Sequence, residues 1–127
     1  MNVVDSSAWL EYFADGPNAA FFAKAIENTE RLIVPSVCIV EVFKRILQQS
    51  GEGPALQAAA LLQQGKIIDL DPWLAMSAAK LGHALKLPLA DSIILATARA
   101  HDASIWTQDA DFKDIEGVKY IAKRKTP

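Results

Sequence analysis

The sequence has one cysteine, Cys38, and two histidines, His83 and His101, among 127 residues. A single cysteine cannot form an internal disulfide, and the amino terminus lacks the basic region and cleavage site of a secretion signal, so we expect a reducing cytoplasm. Cys38 has no nearby histidine, and neither histidine has a partner at metal-ligand spacing. The sequence therefore gives no support for a thiol nucleophile or a histidine-based centre.

Long apolar runs are absent as well. None approaches the roughly 18 residues of a membrane span, so we expect no membrane partner. With 51% hydrophobic and 22% charged residues the chain is typical of a folded domain, and its length suits one domain, residues 1–127. The net charge of −2 first argues against nucleic acid, but removing four metal-bound carboxylates from the count leaves +2. The composition is thus compatible with an anionic substrate.

Strand-like and helical patterns alternate along the chain. Hydrophobic runs predict strands at residues 2–5, 32–34, 66–70, 104–107 and 118–121, with helices in most intervals between them. Serines and an aspartate at helix starts predict capping by Ser6 or Ser7, Ser36 and Asp71. This alternation predicts an α/β fold: a three-layer sandwich with a central, mostly parallel sheet of four to five strands flanked by helices.

Several apolar residues are expected inside this fold. The helical spacing of one segment predicts that its apolar face points inward, and the three tryptophans are also interpreted as core residues, although an exposed one could stack on an RNA base. The residues concerned are Val37, Val40, Phe43, Leu47, Trp9, Trp73 and Trp106.

Four acids fall where a parallel sheet brings residues together. Asp5 and Asp109 lie at the carboxyl ends of predicted strands, and Asp91 lies in the first turn of an apolar helix. Strand carboxyl ends and the amino ends of the following helices share one edge of such a sheet, so these acids should face one crevice. Glu41 lies one turn deeper in its helix, and its longer side chain could reach the same point.

Clustered carboxylates repel one another unless positive charge is supplied. Helix amino termini offer only about half a charge each. A set of oxygen ligands without a histidine or cysteine cluster favours Mg²⁺ or Mn²⁺ over Zn²⁺. One or two such ions can activate water for attack on a phosphodiester.

The motifs VVDSSAWLEYF, PSVCIVEVFKRI, LPLADSIILATARAHDA and TQDADF, in this order and spacing, resemble those of PIN-domain proteins, most closely VapC-type toxin ribonucleases. The similarity runs nearly end to end. It implies an Mg²⁺- or Mn²⁺-dependent endoribonuclease acting on RNA, a homodimer, and neutralisation by a small cognate antitoxin.

The resemblance also assigns residues. Asp5, Glu41, Asp91 and Asp109 match the catalytic, metal-binding acids of the family. Ser6 and Thr107 match small hydroxyl residues that support the site, and Asp111 is assigned a supporting role in the same segment as Asp109.

Each acid also has a purely structural interpretation. Asp5 and Asp91 could cap helices, Asp109 and Asp111 could shape a turn, and Glu41 has Arg45 four residues later, the spacing of a surface ion pair. As a set, the acids favour a metal site.

Two alternative functions compete with the nuclease. The first is a non-catalytic PIN-like module that binds RNA or protein and uses its acids for a structural ion. The second is a receiver-type phosphotransfer domain, which needs an acidic pair beside the first strand. Since Asp5 is followed by Ser6 and Ser7, the receiver interpretation is disfavoured.

Basic residues give a weaker signal. Lys44, Arg45, Lys86 and Arg99 are candidate phosphate contacts, although solvated charge is the simpler interpretation of each. The basic tail, residues 123–125, could hold RNA electrostatically, but we expect it to lie in solvent.

Overall fold

A five-stranded, entirely parallel sheet forms the centre of the computed structural model, which describes residues 1–125. The strand order is β3-β2-β1-β4-β5. The strands are β1 (Asn2–Val4), β2 (Leu32–Pro35), β3 (Lys66–Ile68), β4 (Ser104–Thr107) and β5 (Val118–Tyr120). The predicted α/β fold with a parallel sheet is therefore confirmed, although β1, β3 and β5 end earlier than predicted and β2 ends one residue later.

Six helices connect and cover the strands. They are α1 (Ser6–Phe13), α2 (Ala19–Ile26), α3 (Ser36–Ser50), α4 (Glu52–Leu62), α5 (Pro72–Leu85) and α6 (Leu89–Ala100). α6 packs against β1, β2 and β4, whereas α2 packs against β1 and β4. Parallel connections are right-handed, so the chain's change of direction along the sheet after β3 places α5 and α6 on the face opposite α1 and α2.

β1 lies at the centre of the sheet, between β2 and β4. From β1 the chain builds the sheet outward on one side through β2 and β3, and then on the other side through β4 and β5. Backbone pairing continues past β1, because the Asp5 amide donates to the Trp106 carbonyl at 3.1 Å. The carboxyl ends of β1 and β4 thus lie side by side at the position where open parallel sheets form their crevices.

The core follows the predicted pattern with three exceptions. Trp9 and Trp106 are buried, as expected, but Trp73 is 64% exposed, and Val40 and Leu47 on α3 are 63% and 43% exposed. The helical period correctly identifies α3 as amphipathic but does not fix which face meets the sheet. The inward face is set instead by buried Cys38 and Val42.

Helix starts also differ from the sequence prediction. Asp5, and not Ser6 or Ser7, caps α1 by accepting from the Ala8 amide, and Pro35 precedes α3 without any side-chain cap by Ser36. Capping by Asp71 is confirmed, since its carboxylate accepts from the Leu74 amide. Among residues 1–125, no helix is long and apolar enough to cross a membrane.

Candidate metal centre

The four predicted acids line one cleft of about 360 Å³ at the carboxyl edge of the sheet. Asp5, Glu41, Asp91 and Asp109 all contribute to its wall, together with Ser6, Ser7, Leu10 and Arg45. Residues up to 104 positions apart in sequence meet here because β1 and β4 are neighbours and because α3 and α6 begin at the same edge.

Asp5 is the most rigidly held of these acids. It is 2% exposed. Its Oδ1 accepts from the Ala8 amide at 3.0 Å, its Oδ2 accepts from Thr107 Oγ1 at 2.9 Å, and the Ser7 hydroxyl lies 3.0 Å from both oxygens. A carboxylate offers about four lone-pair sites, so these three donors leave capacity for one further partner. Asp5 is thus a helix cap and a cleft-lining acid at once.

Thr107 links the two strand ends. Its hydroxyl donates to Asp5 Oδ2 and accepts from the Asp109 amide at 2.8 Å. Asp109 Oδ1 in turn accepts from the Asp111 amide at 2.9 Å, which is the turn-forming contact expected of an aspartate. The second Asp109 oxygen has no hydrogen-bond donor among residues 1–125.

A tighter group of acids lies on the open side of the cleft. One carboxylate oxygen each from Asp91, Asp109 and Asp111 can be chosen so that all three lie within 4.8 Å of one another. Asp91 occupies the third position of α6 and does not cap it, because Pro88 precedes the helix without a side-chain cap. The interpretation of Asp91 as a helix cap is therefore wrong. Asp111, to which the sequence assigns only a supporting role, lies as part of the same three-acid group.

Glu41 is held from the opposite side. The Ser6 hydroxyl donates to Glu41 Oε1 at 2.6 Å, which joins the start of α1 to the second turn of α3. Arg45, the i+4 neighbour of Glu41, lines the cleft as well. It is the single guanidinium in the wall of this cleft.

The electrostatics of the cleft show an excess of negative charge. Burial raises the pKa of Asp5 to about 6, against hydrogen bonds from Thr107, Ala8 and Ser7 that lower it. Burial also raises the pKa of Asp91 to about 7, and repulsion from Asp109, Asp5, Asp111 and Glu41 adds to the increase. Both carboxyl groups therefore resist ionisation in the protein without bound cations.

The donor set fits a hard divalent cation. Every ligand candidate is a carboxylate oxygen, and within residues 1–125 only one of the two Asp109 oxygens accepts a hydrogen bond. The mutual repulsion of the acids is the kind that Mg²⁺ or Mn²⁺ relieves. The residues present thus suit the type of ion that the sequence predicts.

Cys38 lies beneath the acids as an inert core residue. It is completely buried, its Sγ lies 3.9 Å from the Val4 carbonyl oxygen, and burial raises the pKa of its thiol. Neither His83 nor His101 lines the cleft. The burial of Cys38 confirms its interpretation as a small core residue.

Sequence reasoning missed the contribution of Ser7 to the site. The sequence pattern predicts only a capping role for Ser7, yet its hydroxyl contacts both oxygens of Asp5. Among the candidate phosphate contacts, Arg45 lines the cleft, whereas Lys44, Lys86 and Arg99 are exposed residues outside its wall. The tail prediction also needs correction, because Arg124 is exposed but donates to Asn18 Oδ1 at 2.7 Å and to the Pro17 carbonyl.

A parallel sheet with acids converging at its carboxyl edge defines an α/β protein with an acidic cleft. The family model of the PIN domain matches residues 3–118, so the chain belongs to the PIN-domain family, as its motifs predict. No curated protein matches the sequence.

Solved structures resemble the chain over nearly its whole length. A toxin–antitoxin complex from Klebsiella pneumoniae is 24% identical over 94% of this chain and 96% of that one, with a TM-score of 0.78. The sarcin-ricin-loop-cleaving toxin VapC20 of Mycobacterium tuberculosis is 16% identical over 93% and 97%, with a TM-score of 0.76. VapBC2 from Rickettsia felis, bound to a promoter DNA fragment, is 13% identical over 95% and 97%, with a TM-score of 0.73. These similarities show a shared fold.

Proposed function

We propose that the protein is a metal-dependent endoribonuclease toxin that hydrolyses RNA phosphodiester bonds and is neutralised by a cognate antitoxin. The observation on which the proposal rests is the convergence of Asp5, Glu41, Asp91 and Asp109 in one cleft. Membership of the PIN family and the toxin assemblies among its structural neighbours support the same function.

In this proposal the four acids hold one or two Mg²⁺ or Mn²⁺ ions. When bound, the ions activate water and neutralise charge on the phosphodiester. The chain's own residues supply the geometry: Thr107 and Ser7 fix the Asp5 carboxylate, and Ser6 fixes Glu41. Asp111 joins the ligand candidates because of its distance to Asp91 and Asp109. No histidine is needed as a general base.

The partners follow from charge and shape. An antitoxin would direct an arginine or lysine toward the acids and lay an amphipathic helix over apolar surface. A homodimer is the proposed assembly, and exposed apolar side chains such as Val40, Trp73, Met76 and Leu89 are candidates for its interface. A reducing cytoplasm remains our prediction for the compartment.

The decisive experiment is to incubate the purified protein with total cellular RNA, with Mg²⁺, Mn²⁺ or chelator, and to sequence the new ends. We expect metal-dependent cuts with 5′-phosphate and 3′-hydroxyl ends, and none with Asp91→Asn. Ends carrying 2′,3′-cyclic phosphate would contradict the mechanism, because they form when the 2′-hydroxyl of the RNA attacks.

A second experiment separates the toxin from a non-catalytic module. Expression in a bacterial host should arrest growth, and co-expression of an open reading frame adjacent to the gene should restore it. Metal binding without turnover of any RNA and without growth arrest would instead support a PIN-like binding module with a structural ion.

A further inference from the structure

The segment that follows β5 runs beside the strand end that leads to Asp109. The Ile121 amide donates to the Thr107 carbonyl at 3.1 Å, one residue beyond the end of β5. The pairing of β4 with β5 is thus extended past both strands. The chain after β5 therefore starts out next to residues 107–109.

Asn18 binds this segment from the side of α2. The residue is completely buried, its Nδ2 donates to the Ala122 carbonyl at 3.1 Å, and its Oδ1 accepts from Arg124 Nε at 2.7 Å. Arg124 donates a second time, to the Pro17 carbonyl at 2.6 Å. Hydrogen bonds from a charged donor are stronger than neutral ones, and a planar guanidinium orients two acceptors at once. The segment is therefore fastened to the turn between α1 and α2.

The same carboxamide also contacts the residue before Asp109. Asn18 Nδ2 donates to Gln108 Oε1 at 3.0 Å, and Gln108 is itself buried. An asparagine side chain has two donor hydrogens, and Asn18 uses one on Gln108 and the other on Ala122. The carboxamide cannot rotate without losing bonds on both sides. We call Asn18, Gln108, Ala122 and Arg124 the carboxyl-terminal clamp.

The backbone of Asn18 is held from α1. Its amide donates to Glu11 Oε2 at 2.8 Å. Gly16 leaves room for this carboxylate, because a Cβ added at position 16 would lie 2.3 Å from Glu11 Oε1. α1 is also the helix that Asp5 caps. One buried asparagine therefore connects the helix that begins after Asp5 with the strand end that leads to Asp109.

Asp109 makes only local hydrogen bonds of its own among residues 1–125. Its amide donates to Thr107 Oγ1, its Oδ1 accepts from the Asp111 amide, and its carbonyl accepts from the Phe112 amide. None of these partners is more than three residues away. Long-range attachment comes from the two preceding side chains, of which Thr107 contacts Asp5 and Gln108 contacts the clamp residue Asn18.

We propose that Arg124 and Asn18 are positioning residues for the acidic cleft. Acting through Gln108, they hold the Asp109 carboxylate beside Asp91 and Asp111, where the three acids can share one cation. Residues 121–124 thereby contribute to the site although none of them lines the cleft. The assignment rests on the proposed function for its effect on RNA cleavage, whereas its effects on the metal-free protein and on cation binding do not depend on the substrate.

Amide hydrogen exchange in the metal-free protein tests the clamp. Arg124→Ala removes two hydrogen bonds at an exposed residue, so the fold should remain intact. We expect exchange at the Asp109 and Asp111 amides to become about tenfold faster and exchange at Ile105, in the buried part of β4, to stay unchanged. Lys125→Ala is the matched control, because it also removes one positive charge but no side-chain hydrogen bond among residues 1–125.

Cation binding and turnover are the second readout. Groups that orient metal ligands from outside the first shell typically change metal affinity or activity by about 10- to 100-fold, and the clamp acts through an intervening residue. We therefore expect Arg124→Ala to weaken Mn²⁺ binding about tenfold and to lower kcat for RNA by a similar factor, with KM unchanged. Arg124→Lys keeps the charge and one donor and should recover part of both.

A double-mutant cycle tests the route through Gln108. If Arg124 acts on Asp109 through Asn18 and Gln108, Arg124→Ala should weaken Mn²⁺ binding much less in a Gln108→Ala background than in the wild type. Additive effects of the two substitutions would show that Arg124 does not act through Gln108 and would overturn this route.

The results separate the two proposals. If the wild-type protein cuts RNA but Arg124→Ala changes neither the exchange at Asp109 nor the Mn²⁺ affinity, the clamp assignment is wrong and the nuclease proposal stands. If exchange accelerates at Ile105 as much as at Asp109, Arg124 stabilises the fold as a whole and the positioning role is overturned. If both predicted effects appear but the wild-type protein cuts no RNA, the nuclease proposal fails and the clamp assignment is supported.

Discussion

At the scale of single residues, Thr107 has the most specific role in the cleft. Its hydroxyl is buried, donates to Asp5 and accepts from the Asp109 backbone. A hydrogen bond to a charged acceptor contributes about 1.5–3 kcal/mol, and a buried group left without its partner is destabilising. The orientation of two cleft acids therefore depends on one hydroxyl group.

Thr107→Val should lower RNA cleavage by at least tenfold and weaken Mn²⁺ binding, because Asp5 loses a donor and Asp109 loses its backbone anchor. Thr107→Ser keeps the hydroxyl and should retain most of the activity. Isothermal titration with Mn²⁺ and single-turnover cleavage measure the two effects. Equal metal affinity in the valine and serine variants would contradict this role.

Asp91 and Asp5 both make stability depend on pH. The pKa of Asp91 is about 7 and that of Asp5 about 6, both above the ordinary 3.8, so between pH 4 and 7 the folded state holds more protons than the unfolded state. The free energy of unfolding of the metal-free protein should therefore fall as the pH rises through this range. The full destabilisation is present above pH 7 and is lost below pH 4.

Asp91→Asn should raise the free energy of unfolding at pH 8 in chelator by about 1–2 kcal/mol, allowing for partial solvent screening, with little gain at pH 4. Urea denaturation at the two pH values measures it. Asp69→Asn, at an exposed aspartate outside the cleft, should change neither value. Parallel pH curves for wild type and Asp91→Asn would disprove the assignment.

At the scale of elements, the antiparallel contact of α5 and α6 sets the position of Asp91. A Cβ added at Gly82 would lie 2.4 Å from Ser92 Oγ and 3.2 Å from Ser92 Cβ. Ser92 Oγ donates to the Pro88 carbonyl at 2.9 Å, so it cannot rotate away without losing this bond. Glycine at position 82 thus permits the close approach of the two helices one residue from Asp91.

Gly82→Ala should lower the free energy of unfolding by roughly 1–2 kcal/mol, because overpacking outweighs the gain of about 1 kcal/mol in helix propensity. It should also reduce cleavage, since the first turn of α6 must shift. Gly53→Ala in α4 is the control: nothing lies within 4 Å of its added Cβ, so only the propensity gain applies and stability should rise. An increase in Tm for both variants would contradict the close-packing argument.

A second element-scale feature is the anchored carboxyl-terminal segment. Asn18 is completely buried, its Nδ2 donates to Gln108 and to the Ala122 carbonyl, and its Oδ1 accepts from Arg124. These bonds fasten the segment after β5 to the start of α2 and to the residue before Asp109. The position of Asp109 is therefore coupled to the tail.

At the scale of the whole molecule, the fold assembles a cleft whose acids repel each other. Burial and like charge destabilise the ionised form of the folded protein, so a cation that binds only this form stabilises it by mass action. Metal binding and folding stability should consequently be linked.

Mg²⁺ or Mn²⁺ at 100 times its Kd should raise the free energy of unfolding by about 2.7 kcal/mol at pH 8. The gain should shrink at pH 5, where protons compete for Asp5 and Asp91. Differential scanning fluorimetry measures the change, with NaCl of equal ionic strength as the control. If NaCl produced the same increase in Tm, screening and not a specific site would explain it.

The sequence by itself determined the alternation of strands and helices, the parallel sheet and the common edge of three of the four acids. These follow from local hydrophobic periods and from the geometry of parallel strands, which places Asp5, Asp91 and Asp109 at one side of any such sheet. Glu41 was assigned to the site from the family motifs, because a glutamate in the second turn of a helix is equally compatible with a surface ion pair.

Only the tertiary structure decided which apolar residues are exposed and which polar ones are buried. Val40 and Trp73 lie outside although their patterns favour the core, while Asn18 and Gln108 lie inside. The closeness of Asp111 to Asp91 and the anchoring of Arg124 were likewise invisible in the sequence. The physical reason is that these features depend on contacts between segments distant in the chain. Such contacts produce no periodic pattern in the local sequence.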